Sequence, residues 1–193
     1  MHLSMDDKKQ ISYSRERTFS AHNLFLSAAR DAIDIAESDN SKKTFSSLTA
    51  ITMSALAIEA LCNAVGEKIF KEWSDYESSS PKAKLRIICD KLNIVYEPKT
   101  EPWLTVTWLS QLRNKLAHGK PQLITASDSL EESHYESKSW DKPESKLEQQ
   151  LTIGNAKRAY KQITELKFLL SKNMPSGSSF GIGGDMWSGR SSA

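Results

Sequence analysis

The sequence has few of the residues on which several common classes of protein depend. Its 193 residues include two cysteines, Cys62 and Cys89, with no second cysteine or histidine at metal-binding spacing from either. A zinc site is therefore not expected. We expect two buried thiols, with a single disulfide as the alternative. The four histidines show no ligand spacing among themselves, so the sequence predicts no metal and no cofactor.

The chain also lacks a strong net charge and a long apolar run. Its 26 Lys and Arg against 24 Asp and Glu give a formal charge of +2. This balance argues against a strongly basic nucleic-acid coat and against an acidic tail. No apolar run approaches the roughly 20 residues that cross a bilayer. The polar N-terminal sequence MHLSMDDKKQISYSRER is unlike a secretory signal. We therefore expect a cytoplasmic protein with no membrane partner.

Hydrophobic residues make up 38% of the chain, a modest share that indicates one domain with segments outside its core. We expect a flexible N-terminus at 1–14 and a helical domain at 15–172. Within that domain the Ser-rich and acidic stretch at 120–150 is a polar insertion or loop before the last helix. The Gly/Ser-rich stretch at 173–193 is expected to be a disordered tail.

Apolar residues recur at three- and four-residue steps, which predicts helices. The run ITMSALAIEALCNAV is apolar nearly all round and indicates a central helix. Ser80 followed by Pro81 is a helix start signal. Gly119 and Pro121 end the helix that begins near Trp103. The predicted helices run from about 15 to 37, 43 to 73, 103 to 117 and 153 to 171, and another begins at Pro81. With no convincing strand, the fold class is all-α, an up-and-down bundle of four to five helices.

A polar run, Arg113 to Gly119, closes the helix that begins near Trp103. On a helical wheel Asn114 and His118 share the face turned away from the apolar stripe, with Arg113 at its flank. His118 falls in the last turn, where the carbonyl end of the helix favours the protonated imidazole. An arginine, an amide and a titratable histidine suit phosphate binding and proton transfer. For His118 taken alone, helix capping is the simpler interpretation.

Glu59 lies in the middle of the most apolar helix, with Asn63 one turn later on the same face. An unpaired buried carboxylate is costly, so Glu59 should have a partner, and Arg113 is the natural candidate. One interpretation is that this pair only locks two helices together, which leaves Asn114 and His118 for chemistry. Lys115 and Lys120 are further candidates for binding a substrate.

The run RNKLAHG at a helix end, in a bundle whose central helix carries AIEALCN, resembles the HEPN superfamily of all-helical domains. That family is marked by an arginine, four to six residues, and then a histidine, often with a polar residue directly after the arginine. Arg113, Asn114 and His118 match this pattern with four residues between Arg and His. The resemblance covers about residues 15–172.

The resemblance implies a metal-independent endoribonuclease of a toxin or anti-phage defence system, in which two copies face each other across one cleft. His118 would transfer protons as a ribose 2′-OH attacks the adjacent phosphate, Arg113 would hold that phosphate, and Asn114 would orient it. The chemistry requires RNA, because DNA lacks the 2′-OH. Glu59 and Asn63 would support the site. The implied partners are RNA, a second copy, and a cognate antitoxin or defence-system protein.

Two other functions fit the same sequence. The chain could be a non-catalytic HEPN-like dimerisation or interaction module, with Trp140, Trp187 and the Gly/Ser-rich tail contacting a partner. Alternatively, a regulatory helical protein could use the Arg/His face to bind a nucleotide or another phosphate without hydrolysing it. RNA turnover would distinguish the endoribonuclease from both alternatives. Stabilisation by nucleotide would distinguish the phosphate-binding regulator from the interaction module.

Overall fold

The computed structural model describes residues 12–127 and 142–192, and these residues are mostly helical, in agreement with the predicted class. A small two-stranded sheet, which the sequence did not predict, joins the two ends of the chain. The described elements are β1 (Ser12–Thr18), α1 (Ala21–Ser38), α2 (Lys43–Ile69), α3 (Pro81–Lys91), α4 (Trp103–Ala117), α5 (Ile153–Asn173) and β2 (Met186–Ser192).

Helix α2 is the centre of the molecule and packs against each of the other four helices. Its buried residues recur on every turn from Ser47 to Gly66, as expected for a helix with neighbours on several sides. By length and composition, Asn40–Ile69 could cross a membrane, so the expectation of no such run needs correction. Half of the most apolar 18-residue stretch of this segment is buried in the protein, and the core helix of a soluble protein has the same length and composition.

Helix α3 begins, and helix α4 begins and ends, where the sequence signals predict. The Ser80 hydroxyl accepts a hydrogen bond from the backbone N–H of Ala83, and Pro81 is the first helical residue. Helix α4 ends at Ala117, and the backbone N–H of His118 donates to the Asn114 carbonyl at 3.0 Å. These ends matter because they fix where the Arg113–Gly119 run stands relative to α3.

Two predicted helix boundaries were wrong. The first helix begins at Ala21, because residues 15–18 belong to β1. Helix α2 ends at Ile69, and the chain then turns so that the buried Trp73 folds back onto Gly66. A Cβ at Gly66 would lie 2.2 Å from the Trp73 ring, so only glycine leaves room for the indole. Apolar periodicity continued past the helix because Trp73 is a core residue of the turn that follows.

Part of the tail predicted to be disordered, 173–193, forms a paired strand instead. Of the flexible N-terminus predicted at 1–14, residues 1–11 lie outside the described residues, and 12–14 belong to β1. Strand β1 pairs antiparallel with β2, in a register that matches Ser12 with Ser192 and Thr18 with Met186. Between α5 and β2, Ile182 is fully buried and its carbonyl oxygen lies 2.9 Å from Nε2 of the buried His22. The tail is therefore fastened to α1 by a buried apolar side chain and by hydrogen bonds.

The polar insertion is described at its two ends, 120–127 and 142–150, while His134, Tyr135 and Trp140 lie outside the described residues. Residues 120–127 have no regular secondary structure and are exposed. The other end is held to the bundle, because the indole N–H of Trp108 donates to Oε1 of Gln150 at 3.0 Å. The neighbouring Leu151 is buried.

Candidate functional site

Helices α2 and α4 bring Glu59, Arg113 and Asn114 together, as the sequence predicted for the first two. A guanidinium nitrogen of Arg113 lies 3.6 Å from Oε2 of Glu59 in an ion pair. The other terminal nitrogen donates to Oδ1 of Asn114 at 3.3 Å. The side chains of Arg113 and Glu59 are 45% and 36% exposed. The pair therefore faces solvent, although Glu59 belongs to the central helix.

Sequence reasoning missed Lys84, which completes this cluster from α3. Its side chain is 0% exposed, its ammonium donates to Oδ1 of Asn63 at 2.9 Å, and it lies 3.7 Å from Oε1 of Glu59. Asn63 therefore joins the cluster through Lys84. A buried ammonium is costly unless it is paired, so Lys84 fixes both the Asn63 amide and the Glu59 carboxylate. Glu59 in turn lies between two cations, one buried and one exposed.

A signal for Lys84 was present in the sequence. Lys84 precedes Ile88 by four residues and lies next to Leu85, on the stripe that α3 turns to the core. A lysine on a buried stripe is unusual, because lysine is almost never fully buried unless it is paired. The combination of Lys84 on the apolar face of α3 and Glu59 on the apolar helix α2 was the pattern that could have predicted the pair.

Three members of the cluster, Glu59, Arg113 and Asn114, line a small pocket of about 230 Å³ between α2, the N-terminus of α3 and α4. The N-terminal end of α3 carries the partial positive charge of its unpaired N–H groups. Lys82 and Arg113 add full positive charges, and Glu59 supplies a negative one. The pocket is lined by residues of all three helices: Ala55, Glu59, Ser80, Pro81, Lys82, Thr107, Ser110, Gln111, Arg113 and Asn114.

His118 lines a different and larger groove, of about 1130 Å³. Lys115 and Lys120 line this groove as well, so both lysines accompany His118 rather than Arg113. Most of the remaining lining comes from the two ends of the insertion, residues 122–125 and 144–150. The lining of the Arg113 pocket does not include His118, and that of the His118 groove does not include Arg113. The three motif residues are all exposed, as the helical wheel predicted.

The energetics of the Arg113–Glu59 pair bear on whether it is only structural. Exposed ion pairs are worth about 0–1 kcal/mol, because water screens the charges and both side chains lose freedom. A pair as exposed as this one contributes little as a lock between helices. Its larger effect is to orient the planar guanidinium, whose remaining donors can bind two oxygens of an anion such as a phosphate in a bidentate arrangement.

The two cysteines are buried and free, which confirms the prediction of two thiols. Burial raises the pKa of the Cys89 thiol to about 12 and raises the pKa of Cys62 further. Thiolate is the reactive form, so neither side chain is a nucleophile near neutral pH. Across residues 12–127 and 142–192, no three His, Cys, Asp or Glu side chains are grouped closely enough to hold a metal ion.

Comparisons of this chain with protein-family models, with characterised proteins and with solved structures find no match. The resemblance to the HEPN superfamily therefore depends on the residues themselves. What the site offers is a paired arginine and amide at a small cationic pocket, and a histidine with two lysines at the adjoining end of the same helix.

Proposed function

We propose that this chain is a cytoplasmic, metal-independent endoribonuclease of the HEPN type, with an up-and-down helical bundle, acting in a toxin or anti-phage defence system. The observation that carries the proposal is the hydrogen-bonded pair of Arg113 and Asn114, held by Glu59 at a cationic pocket, with His118 at the end of the same helix. The partners that go with this proposal are RNA, a second copy of the chain, and a cognate antitoxin or defence protein.

Phosphate binding is the role best supported for Arg113. Its guanidinium is about half exposed and already oriented by Glu59, so an anion that enters the pocket meets donors that need little rearrangement. The N-terminal end of α3 and Lys82 add positive charge to the lining of the same pocket. Asn114 keeps its amide N–H₂ available, because its carbonyl oxygen accepts from Arg113. Arg113 and Asn114 would then bind the scissile phosphate together.

The separation of the Arg113 pocket from the His118 groove supports a composite site. A phosphate seated in the small pocket would take its arginine from one chain, and a second chain would bring its own motif to the same cleft. His118 stands at the exposed end of α4, where the facing motif of a second copy can approach it. The expected active form is therefore a homodimer, in which the two copies of α4 meet.

The reaction that we propose is an internal transfer at phosphorus. The ribose 2′-oxygen forms a bond to the adjacent phosphorus and the bond to the 5′-oxygen breaks, which gives a 2′,3′-cyclic phosphate and a 5′-hydroxyl. The 2′-OH proton passes to a histidine acting as base, and the departing 5′-oxygen receives a proton from an acid. Arg113 stabilises the charge that builds up on the phosphate oxygens. Imidazole suits both proton transfers near neutral pH.

One observation favours the alternative of a non-catalytic interaction module. Arg113 is already engaged by Glu59 and Asn114, so its positive charge is partly satisfied without a ligand. Under that alternative the motif only joins helices. Replacing Arg113 or His118 would then change the stability of the protein, and no RNA would be cleaved by wild type or variant. A phosphate-binding regulator predicts instead that nucleotide raises the melting temperature while RNA stays intact.

The experiment is a cleavage assay with purified protein and labelled single-stranded RNA in the presence of EDTA. His118→Asn is the informative variant, because asparagine still suits a helix end and cannot transfer protons as imidazole does. Arg113→Ala tests the phosphate contact, and Lys99→Ala is a control at an exposed position away from the motif. Cyclic-phosphate products from wild type and Lys99→Ala only would support the proposal. Intact RNA with every protein would favour the module.

A further inference from the structure

The ribbon formed by β1 and β2 has one face that combines aromatic rings with arginines. Alternate residues of a strand point to the same side, so Tyr13, Arg15 and Arg17 share a face of β1. The register matches Arg17 with Trp187 of β2, and cross-strand partners lie on the same face. The face therefore carries two aromatic side chains and two guanidinium groups within a two-stranded ribbon.

Both rings on this face are exposed, and the Tyr13 ring is held in position by its neighbours. Tyr13 is 52% exposed and Trp187 is 74% exposed. The guanidinium of Arg15 lies 5.0 Å from the centre of the Tyr13 ring. Gly189, the partner of Arg15, leaves room for the Tyr13 side chain, because a Cβ there would lie 2.4 Å from the phenol oxygen. The Tyr13 side chain can therefore lie against the neighbouring strand because that strand has a glycine at position 189.

The pattern continues one residue beyond β1. Phe19 is exposed, and the Arg17 guanidinium lies 5.5 Å from the centre of its ring. In sequence order the aromatic and arginine side chains thus alternate with small polar or acidic residues, as YSRERTF. The opposite face of β1 carries Ser12, Ser14, Glu16 and Thr18. The two faces differ in chemistry, although all seven residues of β1 are exposed.

The charge and the exposed rings of the face that carries Tyr13, Arg15, Arg17 and Trp187 indicate which ligand it binds. Arg17 is paired with Asp185, and Arg15 makes no ion pair within the described residues, so the face carries a net positive charge. Exposed rings beside arginines are the arrangement on which unpaired bases stack while the guanidinium groups contact phosphates. An apolar peptide would not need the arginines, and a duplex would hide its bases from the rings.

We propose that this face is a binding platform for single-stranded RNA, on which bases stack against Trp187 and Tyr13 and Arg15 contacts the phosphate backbone. This inference relies on the proposed function for the identity of the ligand as RNA. None of the ribbon residues lines the Arg113 pocket or the His118 groove. The platform adds a second contact to the same strand, beyond the nucleotide that is cut.

The test measures binding separately from cleavage. Fluorescence anisotropy of a labelled 12-nucleotide single-stranded RNA is followed with the full chain carrying His118→Ala, so that the RNA stays intact. Trp187→Ala is expected to raise the Kd roughly tenfold, and Trp187→Phe less, because one stacked base is lost or weakened. Arg15→Ala should lower the salt dependence of binding by about 0.7 in the slope of log K against log salt. Ser14→Ala, on the opposite face, should change neither quantity.

Each outcome decides the proposal. Loss of affinity with Trp187→Ala and Arg15→Ala, at unchanged melting temperature, supports the platform even if wild type cuts no RNA. Equal affinity of all variants overturns it, even if wild type cuts RNA efficiently. If Trp187→Ala leaves RNA affinity unchanged but converts dimers to monomers in sedimentation velocity, the face is an interface between copies and the platform is overturned.

Discussion

Lys84→Met is the perturbation that tests the buried part of the site most sharply. Methionine is close to lysine in length and is apolar, so it keeps the stem packed and removes only the ammonium. That ammonium is 0% exposed, donates to Asn63 at 2.9 Å and lies 3.7 Å from Glu59. The substitution leaves the Asn63 carbonyl without its donor and leaves Glu59 with Arg113 as its cationic partner.

The expected loss of stability follows from these contacts. A hydrogen bond from a charged donor is worth about 1.5–3 kcal/mol, and relief of the buried charge offsets part of it. Glu59 is partly exposed and keeps its ion pair with Arg113, so the substitution leaves no buried carboxylate without a cationic partner. We expect Lys84→Met to lower the free energy of unfolding by about 1–2 kcal/mol. Lys84→Ala also removes three buried methylenes at about 0.8 kcal/mol each, and should cost about 2.4 kcal/mol more.

Urea unfolding followed by circular dichroism measures both variants, with Lys99→Met as a surface control. Lys99 is exposed, so its replacement should stay within about 0.5 kcal/mol of wild type. A Lys84→Met protein as stable as wild type, or more stable, would show that the ammonium contributes nothing beyond its cost of burial, contrary to this expectation. A loss that persists in the Glu59→Gln background would assign the effect to Asn63 alone.

Three further predictions follow from buried groups. Gly66→Ala should destabilise the fold by about 3 kcal/mol, since its Cβ would overlap the Trp73 ring; thermal unfolding measures this loss. Because burial raises their pKa values, Cys62 and Cys89 should resist Ellman's reagent at pH 8 until urea unfolds the chain, and rapid labelling of the native protein would contradict this. Burial lowers the pKa of His22, so the unfolded chain binds its proton first. Stability from His22 is complete above about pH 6.5 and falls as pH drops below it; His22→Gln should flatten that decline in melting temperature.

The helices were predictable because their signals are local. Ser80 caps the start of α3, and Pro81 fixes the backbone angle of its first residue. Both effects involve only residues within four positions of the helix start. The end of α4 at Ala117 follows in the same way from the polar run and Gly119. The boundary near Trp73 failed because an apolar residue in a turn looks, in sequence, like one more turn of helix.

The ribbon was not predictable from apolar alternation, because β1 buries neither face. A strand is usually recognised by alternating apolar and polar residues, and here the alternation is between aromatic or arginine residues and small polar ones. Its partner, β2, lies in a Gly- and Ser-rich stretch that resembles a disordered tail. The pairing joins the two ends of the chain, and local sequence patterns carry no information about such distant contacts.

At the site, the sequence predicted the Arg113–Glu59 contact, since an acid in an apolar helix needs a partner. It did not predict that His118 would line a groove apart from Arg113, because a helical wheel gives directions but not neighbours. The sequence did not single out Lys84. The helix on which it lies had to be placed against α2 before its ammonium could be seen to reach Glu59 and Asn63.

In the proposed reaction, His118 transfers protons during RNA cleavage. This role is tested by incubating a labelled single-stranded RNA in EDTA with equal concentrations of wild type or of a His118→Asn protein that melts at the same temperature, and by identifying the products. We expect 2′,3′-cyclic phosphate ends from wild type and a loss of at least about 100-fold in rate for the variant. Equal cleavage by both proteins, or intact RNA with both, would contradict it.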